Sequence, residues 1–133
     1  MRIVSLIVVI ALAAAAPALG QHREPVQRQV LVDLAYVLGE AHALRQLCAG
    51  PSDQFWRDRM LKMMDAESTD RAFEQRLRET FNTGYIARQA QFTQCSPQSR
   101  DAETRVAAQG QILAKRLIVA PPPPPQPDSL APQ

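Results

Sequence analysis

Residues 26–51 read VQRQVLVDLAYVLGEAHALRQLCAGP. Within them Val30, Leu34, Val37, Ala41, Leu44 and Cys48 recur in alternating steps of four and three, which places them in one stripe along an α-helix. The stripe ends on a cysteine. Gly50 suits the left-handed backbone that follows many helices, and Pro51 cannot carry the hydrogen-bond ladder onward, so the helix is expected to stop there.

Downstream, the same period recurs and strand-like alternation is almost absent. Ser52 or Asp53 is expected to cap a second helix, whose apolar face is Trp56, Met60 and Met63/Met64. The polar stretch Glu67-Ser68-Thr69-Asp70 reads as a turn into a third helix. Phe73, Leu77, Phe81, Gly84/Tyr85, Phe92 and Cys95 give that helix its buried side, so it is expected to run on to Cys95. Ser96 can cap a fourth helix, and Pro97 suits its first position, where a missing N–H is no loss. Val106, Gly110, Leu113 and Leu117 form the fourth stripe. The fold expected is all-α: a small four-helix up-down bundle over residues 26–119.

The two ends differ in composition from the bundle. Arg2 precedes an uncharged apolar run from Ile3 to Ala16, and Ala18 and Gly20 are small residues placed for signal-peptidase cleavage. Residues 1–20 are therefore expected to be a signal peptide, with export to the periplasm and a mature start at Gln21. The alternative is an uncleaved inner-membrane anchor, which Pro17 and the shortness of the run disfavour. Residues 120–133 hold Pro121-Pro122-Pro123-Pro124-Pro125-Gln126-Pro127 and are expected to be a disordered proline-rich tail outside the core.

In an exported chain, an even pair of cysteines reads first as a disulfide, here Cys48 to Cys95. Their separation is not that of a redox Cys-x-x-Cys motif, and two thiols without a histidine cluster do not make a zinc site. An intramolecular bond also demands a chain reversal near residue 71, because one continuous helix from 53 to 95 would be about 64 Å long. Up-down-up packing follows, with the first and third helices parallel and both cysteines at one end.

Charge excludes one class of partner. Removing Arg2 from the fifteen Lys and Arg leaves fourteen against thirteen acids, and these are interleaved, as in Arg57-Asp58-Arg59. That pattern is a solvated helix surface, not the concentrated basic stripe that binds nucleic acid. No cofactor, metal or nucleotide motif is present, and no membrane span is expected after cleavage.

The run Leu38-Gly39-x-x-His42-x-Leu44-Arg45-x-x-Cys48, then Trp56-Arg57-x-x-Met60, Phe81-Asn82-x-Gly84-Tyr85 and Cys95, resembles a family of short exported alphaproteobacterial proteins known only as a domain of unknown function. The resemblance spans roughly residues 31 to 117. It implies an envelope location and assigns no catalytic residue.

Candidate sites therefore come from the residues themselves. His42, Arg45, Asn82 and Tyr85 could form a polar cluster, and the structural reading, a boundary histidine bonded to a neighbour, is preferred to a catalytic base. Gly84 inside a helix costs about 1 kcal/mol relative to alanine. Close helix packing over the missing side chain is preferred to a kink that opens a groove beside Asn82 and Tyr85. The methionines could be an adaptable binding surface but more often fill a core. Phe55 and Trp56 are adjacent, so only one can point fully inward and the other is a candidate partner anchor. The functional expectation is a monomeric, non-enzymatic envelope protein that binds another protein or a cell-wall component. A small envelope hydrolase, or an accessory factor of one, is the alternative.

Overall fold

The computed structural model describes residues 23–118 except residue 69, and these form four helices: α1 (Pro25–Ala49), α2 (Phe55–Ala66), α3 (Arg71–Gln91) and α4 (Pro97–Ile118). The segments expected to be a signal peptide (1–20) and a disordered proline-rich tail (120–133) lie outside the described residues.

Each boundary has a local cause. Pro25 opens α1, and Gly50 closes it at φ 95° and ψ 161°, a backbone region essentially reserved for glycine. The Asp70 carboxylate caps α3 by accepting from the Phe73 N–H at 3.0 Å. At α4, Ser96 Oγ accepts from the Ser99 N–H at 3.1 Å and Ser99 Oγ accepts from the Ser96 N–H at 2.9 Å. This is a reciprocal capping box with serine in the place usual for glutamate, and it is fully buried at Ser99.

Two boundaries differ from the sequence reading. The second helix begins at Phe55, with Gln54 at its cap position and no side-chain cap. Asp53 still satisfies a free donor there, accepting from the Phe55 N–H at 3.1 Å. The third helix ends at Gln91 instead of reaching Cys95. Phe92 turns to extended backbone at φ −124° and ψ 121°, which lets its half-buried ring pack against the core between α1 and α4.

The up-down order is present. Arg28 pairs with Asp70 at the start of α1, Gly39 lies against Phe81 and Tyr85, and Cys48 bonds Cys95 at the far end. Partners thus rise together along both helices, so α1 and α3 are parallel. Between α1 and α4 the order inverts, with Val37 near Gly110 and Cys48 near Ser99.

α1 is the hub of the bundle. Its stripe of Val37, Ala41 and Leu44 packs on Ala102, Val106 and Leu113 of α4. A second face of Leu31, Ala35 and Leu38 packs on Met60, Met64, Phe73, Leu77 and Phe81 of α2 and α3. Helices buried on several sides are apolar on several sides, which is why α1 carries as many buried residues as the other three helices together. α2 rests on α1 and touches α3 only sparsely, while α3 and α4 make no close backbone approach to each other.

Covalent and polar ties hold the two ends. The Cys48–Cys95 disulfide, with Cα atoms 4.9 Å apart, pins the end of α1 to the α3–α4 connector. At the opposite end Arg23 pairs with Glu67 at 2.5 Å, and the Arg28 guanidinium sits 3.9 Å over the Phe73 ring.

Candidate functional site

α2 and α3 are joined by a short turn, and their sparse contact leaves a groove of about 600 Å³ over α1. His42, Met60, Met64 and Phe81 are its buried lining residues. Gln54 at the cap of α2, and Arg57 and Leu61 within it, stand at its edge, and α3 lends Arg78, Asn82 and Tyr85. A volume of this order is within the usual span of small-ligand sites, roughly 300–1,000 Å³.

His42 is the least ordinary residue in it. Only 5% of the residue is exposed, and its Nδ1 is buried without a hydrogen-bond partner. Its ring lies 5.7 Å from that of Phe81 and 5.5 Å from that of Tyr85, both tilted. Burial, reinforced by the nearby Arg57 charge and opposed by Asp53 and Asp58, holds the imidazole below its ordinary pKa. The ring is therefore neutral at pH 7. An unmet polar atom in such a place costs about 1–3 kcal/mol, against a background in which nearly all such atoms are satisfied.

The polar groups around it divide into engaged and free. Tyr85 donates its hydroxyl to Gln46 Oε1 at 2.8 Å and accepts from Gln89 at 3.0 Å. Gln46 in turn donates to the Pro51 and Asp53 carbonyls at 2.9 and 3.1 Å, so these residues form a rigid end wall. Arg78 is held by Glu74 at 2.8 Å, outside the groove. Arg57 makes no ion pair with any described residue, and Asn82 is exposed.

Of the four polar residues singled out by sequence, the fold brings His42, Asn82 and Tyr85 together and sends Arg45 elsewhere. Arg45 bonds Asp53 at 2.9 Å and approaches Glu103 at 3.7 Å. Trp56 donates its indole N–H to the same Glu103 at 3.3 Å and packs against both halves of the core, so it is the inward member of the aromatic pair. Phe55 is 39% exposed, edge-on to Trp56, with the Arg59 guanidinium 3.5 Å and the Arg45 guanidinium 4.6 Å from its ring centre. The methionines combine the two roles weighed for them, since Met60 and Met64 are core residues whose other side faces the groove.

Sequence reasoning did not single out Arg57, Gln54 or Arg78 as site residues, nor Gly39. The arginines look like any solvated helix charge until α3 is brought opposite α2. Gly39 had a signal: it stands between Ala35 and Ala43 at helical spacing, the mark of a face that admits another backbone. Gly84 lies in close packing, with α3 running unbroken through it.

Among the described residues no three His, Cys, Asp or Glu side chains gather as metal ligands, and no helix is long and apolar enough to cross a membrane. No curated protein and no solved structure matches the chain. The family described as "Protein of unknown function (DUF2385)" matches over residues 25–120, which spans all four helices. The resemblance to a domain of unknown function is thus borne out, and the chain belongs to the DUF2385 family.

Proposed function

We propose that the protein is an exported, non-enzymatic binding module of the cell envelope whose working surface is the groove between α1, α2 and α3. The observation that carries this reading is His42, a neutral imidazole nine-tenths buried, with an unpartnered nitrogen, on the wall of this open groove. An enzyme of the hydrolase class would need a nucleophile for that base to activate. Among the described residues the groove lining holds no serine, threonine, cysteine or carboxylate, and its one hydroxyl, that of Tyr85, is tied to Gln46 and Gln89, so no side-chain nucleophile stands ready for His42. Binding uses what the groove does have: an apolar floor, free amides and an uncommitted cation.

Export rests on the apolar segment after Arg2 and on the small residues Ala18 and Gly20. A disulfide between Cys48 and Cys95 fits an oxidising compartment. Intact-mass measurement on the periplasmic fraction should find a chain beginning at Gln21; a chain retaining Met1 would contradict export with cleavage.

The binding role is tested by lysine-reactive crosslinking in intact cells. Lys62 is exposed on α2 one residue beyond the groove residue Leu61, and Lys115 is exposed on α4. A reproducible adduct through Lys62 and none through Lys115 supports the groove. Adducts through Lys115 alone would move the working surface to α4.

A further inference from the structure

We infer that the groove receives a short, extended acidic peptide segment with an apolar side chain, presented by a partner protein; this deepens the binding-module reading and rests on it. Charge is the first argument. Among the twelve described residues that line the groove, Arg57 and Arg78 are cationic and none is acidic. Arg57 is uncommitted among the described residues, and an arginine fork matches a carboxylate through two parallel hydrogen bonds. The nearest acids that act on His42, Asp53 and Asp58, do not line the groove.

The polar groups argue for a peptide. Asn82 is exposed, and Gln54 makes only a long 3.5 Å contact to the Pro51 carbonyl. A free side-chain amide offers both a donor and an acceptor, the pair an extended backbone presents. Met60, Met64 and Phe81 provide beneath them a floor whose thioethers adapt to apolar side chains of different shape. The volume admits a few residues and not a folded surface, and recognition of acidic motifs by arginines is a recurrent peptide-binding mode.

The chain's own tail is a poor occupant by sequence. Its only acidic side chain is Asp128, and its prolines lack the N–H that Asn82 and Gln54 would bind.

The test titrates a blocked tripeptide of glutamate, leucine and glutamate into the oxidised, signal-free chain, following the methyl resonances of Met60 and Met64. The control peptide has glutamine in place of both glutamates. Saturable shifts at both methionines are expected, with the acidic peptide binding about tenfold more tightly than the control. Arg57→Gln should abolish that preference with its helical circular dichroism unchanged. Equal binding of the two peptides, or an Arg57→Gln variant that keeps the preference, overturns the acidic-peptide assignment. Absence of shifts with either peptide overturns it too, and the Lys62 crosslink then decides separately whether the groove binds anything. If shifts arise only after residues 120–133 are deleted, the tail is the occupant and the partner assignment fails.

Discussion

Gly39 of α1 and Gly84 of α3 interlock: a Cβ built on Gly39 would run into the Phe81 carbonyl oxygen and lie 2.8 Å from its carbon. One built on Gly84 would run into the Tyr36 carbonyl oxygen and lie 3.0 Å from its carbon. Each glycine is a notch that receives the other helix's backbone. This contact holds α3 against α1, and with it the relation of Phe81, Asn82 and Tyr85 to His42.

Gly84→Ala should therefore destabilise the protein even though alanine is the better helix former by about 1 kcal/mol. The obstructing atoms are backbone and cannot rotate away, so overpacking by at least about 2 kcal/mol is expected to prevail. Gly39→Ala should behave alike. Urea unfolding reads both, and a rise in midpoint would show that the helices part without cost.

The bridge makes a second, independent contribution. It spans a sequence separation of 47 residues, and in the chain-entropy description closing such a loop stabilises by about 4 kcal/mol. The double variant Cys48→Ser, Cys95→Ser should melt roughly 15 °C or more below the oxidised protein. Non-reducing peptide mapping of the wild type should give one Cys48–Cys95 linked pair from a monomer. A drop of only a few degrees would mean that the Ser96–Ser99 box and the core already fix that end.

Much of this was legible in advance because the causes are local. Gly50-Pro51, Asp70 and Ser96-Pro97 stop or start helices through atoms within four residues of themselves, so the sequence displays them. The bridge and the parallel course of α1 and α3 followed from the reach of a chain. What was hidden depends on residues far apart. Arg57 becomes a groove residue only because α3 stands opposite it, and Arg45 leaves the expected cluster because Asp53 and Glu103 claim it. α3 ends four residues before Cys95 because Phe92 gains more by turning into the α1–α4 core than by continuing the helix.

His42 gives a pH signature. Its folded pKa lies below the ordinary value of about 6.5, so between the two the unfolded chain holds a proton that the folded protein refuses. Stability must then fall as pH drops from about 6.5 toward the folded value, and be unaffected by His42 above that range. Glu40 acts in the opposite sense. Burial raises its pKa against the pull of Arg88, so its contribution falls as pH rises above the ordinary carboxylate value. Subtracting the stability curve of His42→Gln from that of the wild type isolates the histidine. The difference should lean toward the wild type as pH rises from 5 to 7, and a flat difference would mean that the imidazole titrates as it does in water.

The groove is tested most directly by a photo-reactive residue placed at Asn82, on its edge, and in a second strain at Thr104, exposed on α4. Both proteins should accumulate, oxidise and melt alike, since neither side chain is buried. Illumination of intact cells should yield one discrete adduct from position 82, lost when Leu61→Glu puts charge on the exposed edge of the groove, and none from position 104. Adducts from position 104 alone, or an adduct from position 82 that persists in the Leu61→Glu variant, would contradict a working groove between α1, α2 and α3.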